Sequence, residues 1–130
     1  MSLTSTVRMA SLALVAVLLA SPANADGDAA KGKKVFNKCK ACHNADKETN
    51  KIGPHLVGLF GRKAGSLDGY SYSDAMKAAD IVWSAETLAT YIEKPKDFVP
   101  GTKMTFAGIK KEDQIEDLIA YLEEATKKPE

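Results

Sequence analysis

The chain has 130 residues, with 18 basic and 17 acidic side chains, two cysteines and two histidines. That length supports one small domain, and the near-neutral total excludes the strongly basic profile of a nucleic-acid binder. Two cysteines allow one disulfide at most, so this is no disulfide-stapled scaffold.

The first 25 residues read as a secretory signal peptide. Arg8 supplies a short positive region, and Met9 to Ala20 is a 12-residue run without a charge. Ala23-Asn24-Ala25 is a small-x-small cleavage site followed by the polar Asp26. Twelve apolar residues are too few to span a bilayer, so no membrane insertion is expected. The predicted mature domain is 26–130, soluble and exported. Its charge is uneven: Asp26–Lys63 carries nine basic and four acidic residues, and Ala64–Glu130 carries eight basic and thirteen acidic. Two readings stand side by side, a dipolar surface that orients a transient partner and helices that simply carry mixed, solvated charges.

The pattern predicts a short helix over Asp28 to Lys40, capped by Asp26 or Asp28, with Ala29, Gly32, Val35 and Phe36 on its apolar side. Glycine inside a helix costs about 1 kcal/mol against alanine, so Gly32 asks for a packing reason such as the close approach of another helix. Asn44 to Gly69 is a long irregular stretch, and loops of this length in a small domain are usually functional or wrapped around something. Ser73 predicts an N-cap for a helix to Ala79, and Ser84 one for a helix over Ala85 to Glu93 that Pro95 stops. Lys94 to Gly108 reads as irregular. Lys111 to Lys127 is the clearest helix, with Ile115, Leu118, Ile119 and Leu122 as its stripe, acidic residues at its start, and Lys127 and Lys128 at its end. No strand alternation is present. The expected fold class is all-α: four or five short helices and irregular loops.

The chemistry is concentrated in Cys39-Lys40-Ala41-Cys42-His43. Cys-x-x-Cys-His reads as an attachment site for a c-type haem. Thiols three residues apart near a helix end share one face and can reach the two vinyl groups of one porphyrin, while the next residue brings an imidazole to the iron. A zinc ribbon would need further ligands, and the only other histidine is His55. A redox dithiol would sit in a βαβ setting, and a plain disulfide would give His43 no role. For the second axial position the mature chain offers Met104, His55 and Met76, in that order of preference. Met104 follows Pro100-Gly101, which makes a stiff loop able to present one side chain inward. His55 follows His43 by only 12 residues, and Met76 lies in a predicted helix, where methionine commonly fills core.

With these residues assembled, the chain resembles the class I c-type cytochromes, in particular the mitochondrial cytochrome c and bacterial cytochrome c2 group, over essentially all of residues 27–126. The resemblance rests on Gly-Lys-Lys-Val-Phe at 32–36, Cys-Lys-Ala-Cys-His at 39–43, Gly-Pro-His-Leu at 53–56 and Gly-Leu-Phe-Gly-Arg-Lys at 58–63. It continues through Gly-Tyr-Ser-Tyr at 69–72, Trp83, Tyr91, Pro-Gly-Thr-Lys-Met at 100–104 and Asp-Leu-Ile-Ala-Tyr-Leu at 117–122. It implies one covalent haem c, thioether bonds from Cys39 and Cys42, and His43 and Met104 as the axial pair. It further implies that the Pro54 carbonyl accepts the other ring N–H of His43, that Tyr91 lies near the Met104 sulfur, and that Arg62, Tyr72 and Trp83 hold the inner propionate. Thr102 and Phe106 complete the haem environment. Gly32 and Phe36 would cross against Leu118 and Tyr121. Met76 stands where the group often has an asparagine, and the strong positive charge of the mitochondrial proteins is absent.

The function these readings imply is that of a monomeric, soluble, periplasmic one-electron carrier, not an enzyme. It would shuttle between a membrane redox complex (such as a cytochrome bc complex) or a periplasmic dehydrogenase and an oxidase, photosynthetic reaction centre or reductase. Lys38, Lys40, Lys96 and Lys103 are the expected docking cations. The alternative is a haem peroxidase or gas-binding sensor with a displaceable methionine.

Overall fold

The computed structural model describes residues 27–130, so the predicted signal peptide, its cleavage site and Asp26 lie outside the described residues. The described chain is all-α, in the order α1 (Ala29–Val35), a 3-10 turn (Phe36–Lys38), α2 (Asp74–Ala78), α3 (Ala85–Glu93), α4 (Pro95–Phe98) and α5 (Glu112–Ala125). Among the described residues the one β pairing is an isolated antiparallel bridge between Lys63 and Val82.

The two terminal helices carry the architecture. Asp28 caps α1, its carboxylate accepting the Lys31 N–H at 3.1 Å, and its own N–H donates to the Asp117 carboxylate of α5 at 2.8 Å. Gly32 faces the Asp117 carbonyl so closely that any Cβ there would collide with backbone. The crossing therefore requires glycine at this point, which is the packing reason the helix pattern calls for. One turn on, the Phe36 and Tyr121 rings meet at 5.3 Å between centroids. Ile115, Leu118, Ile119 and Leu122 are buried along α5, and Leu118 is 1% exposed.

The predicted helix over 28–40 is α-helical only to Val35 and then tightens to 3-10 through Lys38. The tighter winding leads directly into the turns that hold Cys39. The predicted N-caps hold in place. Ser73 accepts the Met76 N–H at 3.0 Å, and Ser84 with Thr87 forms a reciprocal capping box for α3. Two expectations need correction. Pro95 does not merely stop α3; it opens α4 at the first helical position, where its missing N–H costs nothing. Lys127 and Lys128 do not load the end of α5, whose last turn has no basic residue. The buried Thr126 closes that end instead. Its hydroxyl and its N–H both donate to the Leu122 carbonyl, at 2.7 and 3.0 Å, and its carbonyl accepts the Gly58 N–H at 2.6 Å. This ties the long loop to the helix end.

Candidate functional site

The segment after the 3-10 turn stays wound. The N–H groups of Cys39 and Lys40 donate to the Phe36 carbonyl, and those of Cys42 and His43 to the Cys39 carbonyl, all between 2.8 and 3.1 Å. Cys39, Cys42 and His43 thus form part of the wall of one cavity. The two thiols are unbridged and half-buried. Burial pushes the Cys39 thiol up to about 11, with Lys38 opposing and Cys42 adding to the rise. A reactive redox dithiol has the opposite property, a thiol that ionises easily. Among the described residues no cluster of three or more His, Cys, Asp or Glu side chains is placed to share an ion, so a zinc-ribbon donor set is missing.

His43 Nδ1 lies 2.7 Å from the Pro54 carbonyl oxygen. A carbonyl can only accept, so Nδ1 carries the proton and Nε2 keeps its lone pair. Burial lowers the His43 pKa, with the Pro54 bond opposing and Lys51 lowering it further, a shift towards the neutral form that ligates a metal. Gly53 backs this ring. A Cβ at Gly53 would fall on His43 Cε1, Nδ1 and Nε2. Gly53 cannot retreat, because its N–H donates to the Cys42 carbonyl at 2.8 Å and its carbonyl accepts the Lys51 N–H at 3.0 Å. This role of Gly53 has no sequence signal beyond a glycine beside a proline close to His43.

Another part of the wall comes from the loop after α4. The Thr102 N–H donates to the Val99 carbonyl at 3.0 Å, and Gly101 sits at φ +92°. With Pro100 ahead of it, this is a type II turn, which demands glycine at that position. The turn is fastened to α3, since the Tyr91 and Thr102 hydroxyls lie 2.7 Å apart and the Met104 N–H donates to Thr102 Oγ1 at 3.3 Å. Met104 is half-buried and lines the same cavity as His43. Met76 on α2 also lines it, whereas His55 does not. The preference for His55 over Met76 as an alternative ligand is therefore reversed. His55 is buried in the loop packing, where its Nδ1 accepts the Val57 N–H at 3.2 Å. Burial and the nearby Arg62 lower its pKa against a smaller rise from Glu48.

Arg62, Tyr72, Trp83 and Phe106 also line the cavity. Arg62 donates to the carbonyls of His55 and Val57 at 3.0 and 2.5 Å, and Trp83 is pinned by its N–H on the Arg62 carbonyl at 2.9 Å. Burial lowers the Arg62 pKa and raises that of the adjacent Tyr72. Among the described residues the ion pairs are Lys63–Asp80 and Lys77–Asp74, so this partly buried guanidinium faces the cavity without a carboxylate. A haem fits this lining: two neighbouring thiols for its vinyl groups, an imidazole and a thioether in the same cavity wall, apolar sides for the macrocycle, and a guanidinium and phenol for a propionate. Of the expected docking lysines, Lys38 and Lys103 lie at the cavity and Lys40 beside it, all exposed, while Lys96 is exposed on α4 away from the lining.

The profile of the cytochrome c family matches residues 29–126. The chain belongs to the cytochrome c family. Cytochrome c of Stellaria longipes is 51% identical to it over 104 residues, covering 78% of this chain and 96% of that protein. Cytochrome c-550 of Nitrobacter winogradskyi is 50% identical over 102 residues, covering 78% and 94%. Among solved structures, cytochrome cH from Methylobacterium extorquens superposes with a TM-score of 0.71 at 49% identity, covering 75% of this chain and 98% of that one. As a class I c-type cytochrome the chain is an electron carrier with one covalent haem c, and it is not an enzyme. The Cys-x-x-Cys-His segment is the family's attachment pattern. No helix among the described residues is long and apolar enough to cross a membrane.

Proposed function

We propose that this cytochrome is an exported, periplasmic one-electron carrier in which Cys39 and Cys42 form the thioether bonds and His43 and Met104 are the axial pair. The observation that carries the proposal is the convergence of His43 and Met104, 61 residues apart in sequence, on one cavity that also holds both thiols. The haem supplies a ferric/ferrous couple, and imidazole–thioether ligation favours the ferrous state. The residues of the chain do the rest. Pro54 and Gly53 fix the His43 ring, one through its N–H and the other through its face. The type II turn and the Tyr91–Thr102 contact fix Met104, so neither ligand has to move when the charge changes. Arg62 and Tyr72 stabilise a propionate inside the cavity, and Trp83 and Phe106 keep water from the macrocycle.

With His43 and Met104 both holding the haem iron, no position on it would be left for a substrate. The electron instead passes to and from transiently docked proteins, steered by the exposed lysines at the cavity mouth. The donor is a membrane redox complex such as a cytochrome bc complex, or a periplasmic dehydrogenase. The acceptor is an oxidase, a photosynthetic reaction centre or a reductase. Support for export comes from the charged, apolar and small-x-small order of residues 1–25. Stopped-flow reduction and oxidation of the purified holoprotein by isolated bacterial membranes tests the carrier role. Fast turnover in both directions is the expected result, and inertness towards every membrane complex would overturn it. N-terminal sequencing of the secreted form tests export, with Asp26 as the expected first residue.

A further inference from the structure

Of the two histidines, His55 is the one that the haem site does not use. It is 8% exposed and lies outside the cavity lining. Its backbone and its ring are both engaged. The His55 N–H donates to the Asn50 side-chain carbonyl at 3.0 Å, and its ring Nδ1 accepts the Val57 N–H. The carbonyl groups of His55 and Val57 accept the two arms of one guanidinium, that of Arg62. Residues 55–57 are thus a cradle for Arg62, and the imidazole is the strut inside it. Arg62 in turn reaches the cavity wall.

These bonds decide what a proton does at this histidine. Nδ1 has one lone pair, already engaged with Val57, so the neutral ring carries its proton on Nε2. An imidazolium carries N–H at both nitrogens, and protonation therefore sets a donor against the Val57 N–H. It also places a second cation beside Arg62. Burial and Arg62 oppose that proton, and Glu48 favours it more weakly. On the cavity side, Tyr72 lies next to Arg62, and burial favours its neutral phenol. On the side covered by the C-terminal segment, Lys128 lies over Gly58, with Glu123 and Lys127 around the same depression. Among the described residues no carboxylate is ion-paired with His55 or Arg62.

We infer that His55 is a positioning residue for Arg62 that links the reduction potential to pH: a proton on Nδ1 unseats the Val57 end of the cradle and adds positive charge behind the guanidinium, and the ferrous protein binds that proton more tightly than the ferric one. The inference rests on the reading that Arg62 holds a haem propionate, and it extends that reading one residue outward. Oxidation leaves one more positive charge in the cavity, and unit charges separated by a layer of side chains couple to change proton affinity about threefold. For a one-electron centre, threefold is roughly 30 mV. The sign follows: the potential rises as pH falls through the His55 titration.

The test is the midpoint potential of the holoprotein, measured by voltammetry between about pH 7.5 and 4.5. The proton on His55 is followed separately, by nuclear magnetic resonance of its ring in the ferric and ferrous forms. Wild type should show the rise, with the proton about threefold tighter in the ferrous form. His55→Asn keeps an acceptor for the Val57 N–H and cannot titrate, so it should flatten this part of the profile. The propionates are common to both proteins, so their own titration cancels in the comparison. Arg62→Gln should lower the potential and make the His55 proton affinity equal in the two redox states. Superposable potential profiles for wild type and His55→Asn, or one proton affinity for His55 in both redox states of wild type, would overturn the inference. The second of these needs no variant to fold. An unchanged potential in Arg62→Gln would instead count against the propionate reading, so the two failures are separable.

Discussion

Replacing Gly53 by alanine should strike the fold and the haem site together. Gly53 has no left-handed φ, so its backbone accepts alanine and the whole cost is steric. The new methyl would lie inside contact distance of three atoms of the His43 ring, in a loop held at 2.8 Å to Cys42 and 3.0 Å to Lys51. Forcing a methyl into filled space costs about 1–3 kcal/mol. If the ring yields, the 2.7 Å bond to the Pro54 carbonyl is lost, adding about 0.5–1.5 kcal/mol. The expected destabilisation is about 3 kcal/mol, or roughly 12–24 °C in Tm for a domain near 100 residues. Thermal unfolding of the holoprotein, followed by far-ultraviolet circular dichroism, measures the loss. Electron paramagnetic resonance of the ferric form, which is sensitive to imidazole orientation, reports the tilt. A melting temperature within about 2 °C of wild type, with an unchanged resonance, would refute the claim that Gly53 sets the ring.

Gly32→Ala should lower stability by about 2 kcal/mol in thermal melts, because the collision with the Asp117 carbonyl outweighs a helix-propensity gain of about 1 kcal/mol. His55 is buried with a pKa below its usual 6.5, so its neutral form contributes stability above that value, and this is lost as pH falls through the lowered folded pKa. Protonation also threatens the bond that Nδ1 accepts from the Val57 N–H. Melting temperatures taken at about pH 7, 6 and 5 should fall more steeply for wild type than for His55→Asn, which keeps an acceptor but cannot titrate. Neutralising Lys38, Lys40, Lys96 and Lys103 together should slow reduction by a membrane redox complex and flatten its salt dependence, as stopped-flow kinetics at low and high ionic strength would record.

Local chemistry was the most legible part of the sequence. Ser73 and Ser84 announced their helices because capping depends on residues three apart, and α3 runs over the predicted Ala85–Glu93. Gly32 announced a close helix crossing because nothing else excuses glycine at that position. Pro95 stops α3 as expected, but the stretch expected to be irregular opens with α4, because proline can both end one helix and begin the next, and only the chain's course after Glu93 decides. The end of α5 was misread for a similar reason. Charge pattern favoured Lys127 and Lys128, but a buried hydroxyl at Thr126 and a bond from Gly58 close that end.

The candidate site was legible where residues are adjacent, as in Cys39 to His43, and where a loop has obligatory turn chemistry, as in Pro100-Gly101. It was not legible where the partner is remote. Nothing local in Gly53 points to the His43 ring, and nothing in Tyr70 points to the Ile52 carbonyl, 18 residues earlier in the chain. His55 and Met76 exchanged places because a histidine is the better ligand in the abstract, while α2 delivers Met76 to the cavity and the loop packing withdraws His55.

The measurement that bears most directly on the account is the ferric absorption spectrum at the red end of the visible, where sulfur-to-iron charge transfer reports thioether ligation. The wild type and Met76→Leu should both show this band, and Met104→Ala should lose it. A wild-type spectrum without the band, or a band that survives Met104→Ala and disappears in Met76→Leu, would contradict the assignment of Met104 as the second axial ligand.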